Sequence, residues 1–242
     1  MKALPLVAHR GWQNRYPENS FLAIKKAIQA GAKHIEIDIQ LSSDGHLVLC
    51  HDHELKRLTG LPGRIHEMTL YELQQRIFNE PERLGDKFLT NPICTFDQCA
   101  ELIAQHPDVT LYIEIKRNSL RAFSREFFLN TLVPKLNGIA EQAILISFDY
   151  EVLRLAQQHY GHSRVGPVAQ QWQHCEDASF KNFTPEVIFC DAEIIPSSVN
   201  LSTFNSAFVI YEIADIDGVN YWLKRGAQLV ETFCIGELLA HR

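Results

Sequence analysis

One stretch, Ile35–Ile39, restricts the fold more than any other because it alternates isoleucine with acidic residues. Residues two apart in a β-strand point to the same face, so Glu36 and Asp38 share one face and the isoleucines share the other. Burying unpaired charges is costly, so the acidic face needs a counter-ion. The same alternation recurs further along the chain, where Glu114 and Lys116 share a face. Two such strands predict a site inside an α/β barrel at which carboxylates hold a hard cation such as Mg²⁺ or Ca²⁺.

The order of predicted elements favours a modified (β/α)₈ barrel. Strands and helices alternate along the 242 residues, which suits a single domain over residues 1–242 with a small insertion at about 53–94. Nine candidate strands compete for the eight barrel positions, so one is expected to be a hairpin partner or a misread segment. Residues 47–50 follow the acidic strand too closely for a crossover helix. Capping-box patterns at Thr69 and Thr95 predict helix starts. Further helices are expected near 120–132 and 197–204, and residues 170–185 are expected to be irregular. A doubly wound dinucleotide-binding sheet is disfavoured because no G-x-G-x-x-G follows the first strand.

Composition narrows the partners and the compartment. The net charge is -6, with 23 basic and 29 acidic side chains spread along the chain, so there is no clustered basic face for nucleic acid. The six cysteines form no C-x-x-C pair, which is typical of free thiols in a reducing compartment. No apolar run is long enough to span a bilayer. We therefore expect a cytoplasmic protein with a small-molecule substrate, no nucleic-acid partner and no stable membrane insertion.

Polar residues fall in or at the ends of several predicted strands, and in a barrel these strand ends converge on one mouth. The set comprises His9, Glu36, Asp38, His51, Glu114 and Lys116. Taken alone, either histidine is more often structural than catalytic, and the first acidic pair has about even odds of lying on a surface strand. Together, two histidines can divide acid and base work, and fixed cations can bind a phosphoryl group. Phosphodiester cleavage fits this set better than sugar hydrolysis, which needs two carboxylates but no histidine pair.

At this point the chain resembles the glycerophosphodiester phosphodiesterase family, in particular its bacterial cytoplasmic type. The matching segments, in chain order, are His9-Arg10-Gly11, Pro17-Glu18-Asn19-Ser20, Gly31-Ala32, Ile35-Glu36-Ile37-Asp38, Asp44-Gly45, His51-Asp52 with Leu55, Arg57 and Thr59, Ile113-Glu114-Ile115-Lys116, and Ser147-Phe148-Asp149. The resemblance implies hydrolysis of glycerophosphodiesters to glycerol 3-phosphate and an alcohol, and a barrel whose insertion follows the His-Asp strand.

The resemblance also implies roles for individual residues. A divalent ion, Mg²⁺ first and Ca²⁺ as the alternative, is expected on Glu36, Asp38 and Glu114. The acid/base pair is expected to be His9 and His51. Substrate and phosphate binding is assigned to Arg10, Lys116, Tyr211 and Glu18, with Glu18 at the rim of the site or directly behind the groups that contact substrate.

The last third of the chain departs from the family pattern. A Trp-Thr-Val-Asn strand is replaced by Tyr211-Glu212-Ile213-Ala214, and a late Gly-Val-Asp-Gly-Ile-Ile-Thr-Asp segment by residues 226–233. The aromatic is kept as Tyr211, but the Asn and the terminal Asp are lost. The metal and acid/base positions are intact, so we expect an enzyme whose substrate pocket is altered.

Two alternatives remain at this level. One is a lysophospholipase D-like phosphodiesterase with an apolar mouth facing a membrane, for which the insertion offers Leu58, Leu61, Ile65 and Met68. The other is a protein that binds glycerophosphodiesters without turnover, which the altered C-terminal strands suggest and the intact catalytic positions oppose.

Overall fold

The computed structural model describes residues 4–176, 180 and 184–240 and shows a closed barrel of 8 parallel strands, as predicted. Its strands are β1 (Leu6–Ala8), β2 (His34–Leu41), β4 (Thr110–Ile115), β5 (Ala143–Ser147), β6 (Val165–Ala169), β7 (Val187–Asp191), β8 (Ala207–Tyr211) and β9 (Leu229–Thr232), with β3 (Leu47–Leu49) attached to β2. Closure comes from β1, which pairs in parallel with both β2 and β9. The mouth of the barrel is therefore formed by the carboxyl ends of these strands.

The ninth strand is the expected hairpin partner. β3 pairs antiparallel with the end of β2, with Ile39 opposite Leu49 and Leu41 opposite Leu47. The turn between them is held by Ser42, whose backbone N–H donates to the His46 carbonyl at 2.9 Å. The hairpin extends β2 beyond the barrel rim and brings the residues after β3 back over the mouth.

The helices mostly follow the predicted start signals. They are α1 (Phe21–Gln29), α2 (Lys56–Thr59), α3 (Leu70–Gln74), α4 (Pro81–Leu84), α5 (Phe96–Ala104), α6 (Arg117–Ala122), α7 (Arg125–Leu132), α8 (Tyr150–Tyr160), α9 (Gln173–Glu176), α10 (Ile216–Lys224) and α11 (Ile235–Ala240). Capping boxes begin α3 at Thr69 and α5 at Thr95, as predicted. Each box satisfies backbone N–H groups that a helix start leaves without partners.

Two helix predictions were wrong. The helix expected near 120–132 is two helices, because the chain leaves helical geometry at Phe123 and the Ser124 side chain caps a new start. The helix expected near 197–204 is only a 3₁₀ turn over Leu201–Thr203, capped by Asn200. The irregular segment predicted over 170–185 contains the short helix α9, and its residues 177–179 and 181–183 lie outside the described part of the chain.

Two apolar layers place the acidic residues. The alternating isoleucines of β2 and β4 face outward into the core between barrel and helices, where they are fully buried. The barrel interior is closed by a second cluster, which we call the inner plug: Val7, Tyr112, Ile144, Ile146, Val168, Val187, Phe189 and Val209. Glu36, Asp38 and Glu114 share the inward faces of β2 and β4, as the period of two requires.

The segment 53–94 contains α2, α3 and α4 and packs around a small apolar cluster of its own: Val48, Cys50, Leu55, Leu58, Ile65, Leu73, Phe78 and Ile93. Leu58 and Ile65 are thus core residues of this segment, and Met68 packs against the same cluster. Only Leu61 of the four proposed mouth residues is well exposed, at 56%. These four residues therefore do not form the exposed apolar mouth that was expected of them.

Among the described residues, no helix combines the length and apolar character needed to cross a membrane. The assignment of residues 1–242 to one domain stays a prediction.

Candidate active site

Three carboxylates meet at the mouth of the barrel. Glu36 and Asp38 project from β2 and Glu114 from β4, where Asp38 and Glu114 are direct cross-strand partners. One oxygen from each of the three lies within 4.8 Å of the others. Carboxylate oxygens are the ligands that Mg²⁺ and Ca²⁺ prefer, so the donor set fits a hard divalent ion.

Asp38 is the most heavily bonded member of this triad. Its Oδ2 accepts from Asn19 Nδ2 at 2.8 Å and lies 3.0 Å from Arg10 Nε, while its Oδ1 lies 3.1 Å from Lys116 Nζ. Burial opposes ionisation of Asp38, but the Lys116 ammonium and the Arg10 guanidinium outweigh it and hold the pKa of this carboxyl well below its usual range. Asp38 is therefore a fixed negative charge.

Glu36 and Glu114 have the opposite tendency. Burial, followed by the charge of Asp38, raises the pKa of Glu36 well above its usual value. Its Oε2 accepts from the Arg10 backbone N–H at 3.1 Å, whereas its buried Oε1 has no hydrogen-bond partner among the described residues. Burial likewise raises the pKa of Glu114, although Lys116 donates to it at 2.8 Å. A buried oxygen without a donor, beside two more carboxylates, is what a bound cation would satisfy.

Each candidate histidine lies beside a carboxylate. His51 Nδ1 is 2.7 Å from Asp52 Oδ1, a distance typical of a strong hydrogen bond. His9 Nδ1 is 3.1 Å from Glu212 Oε1, within hydrogen-bond distance, although the angle in this conformation is not that of a hydrogen bond. Burial lowers the pKa of His9 well below its usual value, which favours the neutral ring.

The guanidinium groups of Arg10 and Arg57 are held by a network of carboxylates that extends into segment 53–94. Arg10 Nη1 donates to Glu18 Oε1 at 3.2 Å, and Arg57 makes two bonds to the same carboxylate, at 2.8 and 2.7 Å. Arg57 Nε also donates to Asp52 at 2.6 Å. Glu18 is buried behind Arg10 and bridges Arg10 and Arg57.

The converging residues line one cleft of ≈ 200 Å³, which we call the inner cleft. Its lining is His9, Arg10, Glu36, His51, Glu114, Lys116, Ile146, Phe148, Val168, Phe189, Tyr211, Glu212 and Glu231. A second, wider groove of ≈ 520 Å³ adjoins it and shares His51, Glu114, Lys116 and Phe148; we call this the outer groove. Every predicted site residue therefore lines the inner cleft except Asp38, which is buried beneath its cations, and Glu18.

Two acidic residues of the cleft were missed from the sequence. Glu212 follows β8 and faces His9, and Glu231 projects inward from β9. The signal for Glu231 was present, since one acidic residue interrupts the otherwise apolar strand Leu229–Thr232. Both residues lie in segments where the sequence departs from the family pattern, residues 211–214 and 226–233.

Comparison with known proteins identifies the chain. The family described as the glycerophosphoryl diester phosphodiesterase family matches residues 9–193, more than half of the sequence. The chain belongs to this family.

Relatives of this phosphodiesterase include a glycerophosphodiester phosphodiesterase of Caldanaerobacter subterraneus subsp. tengcongensis, which is 34% identical over 170 residues, covering 70% of this chain and 68% of the relative. Glycerophosphodiester phosphodiesterase 1 of Bos taurus is 26% identical over 237 residues, covering 93% of this chain and 70% of the relative. Among solved structures, a phosphodiesterase from Oleispira antarctica, in complex with the product sn-glycerol-3-phosphate, superposes with a TM-score of 0.84 at 22% identity over 98% of this chain and 96% of that one.

The extent of the family match has a structural meaning. It includes the carboxylate triad, both histidines, Arg10 and Lys116, and it ends before β8 and β9. Tyr211, Glu212 and Glu231 therefore lie outside the residues that the family model matches.

Proposed function

We propose that this enzyme hydrolyses glycerophosphodiesters to glycerol 3-phosphate and an alcohol in a metal-dependent reaction. The observation that supports this most directly is the inner cleft itself, in which three carboxylates, two histidines and two cations converge. The family membership and the product named for the Oleispira antarctica protein point to the same reaction.

The cations suit a phosphodiester. Arg10 and Lys116 keep their charge because neighbouring carboxylates outweigh the effect of burial and raise the pKa of both groups. A phosphate anion in the inner cleft would meet both, and charge-assisted hydrogen bonds of this kind are strong where water is excluded. Glu18 would act from behind, by holding Arg10 in place.

The two histidines would transfer protons. In the first step one histidine takes the proton of the glycerol 2-hydroxyl as that oxygen bonds to phosphorus, and the other gives a proton to the departing alcohol oxygen. In the second step water opens the cyclic phosphate, and the two histidines exchange roles. Nδ1 of His51 lies beside Asp52, and Nδ1 of His9 lies beside Glu212. In each ring Nε2 would therefore be the nitrogen that acts on substrate.

Glu36, Asp38 and Glu114 would hold the ion, which we propose to be Mg²⁺, with Ca²⁺ as the alternative. When bound, a divalent ion supplies charge stabilisation for a phosphoryl oxygen. Asp38 would supply a negative charge, and the buried Oε1 of Glu36 would bind the cation without breaking a hydrogen bond to the protein.

The test is release of glycerol 3-phosphate from a panel of soluble glycerophosphodiesters, first in a chelator and then with Mg²⁺, Ca²⁺ or Mn²⁺ restored. We expect release only with metal, and loss of metal-dependent release in Asp38→Asn. Ligand binding without release would instead indicate a binding protein, and release that persists in chelator would contradict the metal proposal. All six cysteines are free thiols in the structure, and on that basis we also propose a cytoplasmic location.

A further inference from the structure

Glu231 is a buried carboxylate for which the reaction described above has no use. It is 3% exposed, it lines the inner cleft, and its Oε1 is buried without a hydrogen-bond partner among the described residues. It does not belong to the carboxylate group that could hold a metal ion. A buried carboxylate oxygen without a donor is costly, so its presence in a cleft points to a ligand that supplies the donor.

The strand register gives the depth of Glu231. It is the direct cross-strand partner of Val7, two residues before His9 along β1. At about 3.3 Å of rise per residue, Glu231 lies roughly 6.6 Å below the level of His9. Val7 belongs to the inner plug, and Ile146, Val168 and Phe189 of that plug also line the cleft. The lower end of the inner cleft therefore presents an acidic acceptor and an apolar wall.

That combination fits a glycerol unit. Glycerol phosphate contains five bonds from phosphorus to its terminal oxygen, and at about 1.5 Å per bond in a zigzag chain it spans roughly 6 Å. With the phosphate at Arg10 and Lys116, near the level of His9, the terminal hydroxyl would reach the depth of Glu231. Its O–H would donate to the free oxygen, and the glycerol C–H groups would pack on the apolar wall.

The alternative occupant of this end is the alcohol half of the substrate. A quaternary ammonium group has no N–H to donate, so it would leave Glu231 Oε1 without a hydrogen bond. The inner cleft, at ≈ 200 Å³, is also much smaller than the outer groove, at ≈ 520 Å³. The outer groove, which is bordered by Arg117 and Arg121, has the room for alcohols of different size.

We propose that Glu231 is a specificity residue of this chain that recognises the terminal hydroxyl of the glycerol unit. This inference rests on the proposed function. It assigns a role to a residue outside the family match, on a strand where the usual pattern is replaced.

The experiment is a cycle of residue and substrate changes, read by calorimetric binding to the Mg²⁺-loaded protein. The ligands are glycerol 3-phosphate, propane-1,2-diol 1-phosphate, which lacks the terminal hydroxyl, and propane-1,3-diol phosphate, which lacks the central one. The proteins are wild type, Glu231→Leu, Glu231→Gln and, as a distant control with the same charge change, Glu101→Gln on the exposed face of α5. Thermal unfolding of each variant shows that it is folded.

We expect the wild type and Glu101→Gln to bind propane-1,2-diol 1-phosphate about 10- to 100-fold more weakly than glycerol 3-phosphate, because this ligand leaves the buried acceptor oxygen without its donor. In Glu231→Leu this ratio should fall below about 3-fold while the ratio for the central hydroxyl is kept, and Glu231→Gln, which retains an acceptor oxygen, should lie between. An unchanged terminal-hydroxyl ratio in Glu231→Leu would overturn the assignment while leaving the proposed reaction intact. Failure of the wild type to bind glycerol 3-phosphate at all would overturn both.

Discussion

The bond between Glu18 and Arg57 offers the sharpest test of how segment 53–94 is joined to the barrel mouth. Arg57 belongs to α2, and its two terminal nitrogens donate to Glu18 at 2.8 and 2.7 Å. The Glu18 side chain is 1% exposed and that of Arg57 is 41% exposed. Replacing Arg57 by Met keeps the apolar stem and removes the charge, so it leaves a buried carboxylate short of two donors.

The expected loss follows from these contacts. Removing one partner of a fully buried ion pair typically costs 3–5 kcal/mol. Glu18 keeps Arg10 at 3.2 Å and Gln13 at 3.1 Å, and Arg57 is partly screened by solvent. We therefore expect Arg57→Met to lower the free energy of unfolding by about 2 kcal/mol, which for a chain of this size is a fall of roughly 4–8 °C in Tm. Glu18→Gln should cost less, because the amide keeps one acceptor and needs no counter-ion.

Urea unfolding of both single variants and the double variant measures the coupling between the two residues. We expect the double variant to lose about 1 kcal/mol or more less unfolding free energy than the sum of the two single losses, because it has no buried carboxylate without donors. Arg64→Met is the matched control, because Arg64 lies in the same segment and its ion pairs within the described part of the chain are with the exposed Glu54 and Glu67. It should change stability by less than about 0.5 kcal/mol. Strictly additive losses for Glu18 and Arg57 would refute the reasoning.

Four further results are expected. His9→Ala and His51→Ala should each lower kcat by roughly 10²- to 10⁴-fold on a soluble glycerophosphodiester, and a loss below tenfold in steady-state assays would exclude acid/base roles. Asn19→Ala should lower the free energy of unfolding by about 2–3 kcal/mol, because Asn19 exchanges two hydrogen bonds with Asp38 and has a φ of 52°. Asn19→Gly tolerates that φ, so its loss of unfolding free energy, measured by scanning calorimetry, should be smaller. Burial, followed by the charge of Glu212, raises the pKa of Glu231, so the folded state disfavours the ionised form. The free energy of unfolding therefore falls as the pH rises above about 4.5, the ordinary pKa of a glutamate. Glu231→Gln should raise Tm more at pH 8 than at pH 4.5. Mg²⁺ at about 100 times its Kd should raise the free energy of unfolding by about 2.7 kcal/mol, and a Tm that does not respond to Mg²⁺ would contradict the metal site.

The sequence could predict most of the barrel and the carboxylate triad because these depend on a period of two. Once 35–39 is a strand with its isoleucines outward, Glu36 and Asp38 must face inward, and the same holds for Glu114. The short link to β3 could only make a hairpin, and the capping boxes at Thr69 and Thr95 marked real helix starts.

The sequence could not predict features that depend on packing between distant elements. The residues before Leu201 include helix-compatible types, but the polar run Pro196-Ser197-Ser198 offers no apolar face, so only a 3₁₀ turn forms there. Leu58 and Ile65 looked like a membrane-facing mouth because nothing in the sequence shows that they pack together. Glu18 matched a family motif, yet only the structure shows that its partners are Arg10 and Arg57.

The charge balance of the inner cleft connects these observations. Five carboxylates lie in or directly beneath it, those of Glu36, Asp38, Glu114, Glu212 and Glu231, and only Arg10 and Lys116 are permanent cations there. Burial raises the pKa of Glu36 and of Glu231 well above the usual value, which favours the protonated form of both carboxyl groups. A divalent ion would relieve Glu36, and a hydroxyl donor would relieve Glu231. The surplus of acid in the inner cleft therefore supports both proposals, a divalent ion on Glu36, Asp38 and Glu114 and a hydroxyl donor at Glu231.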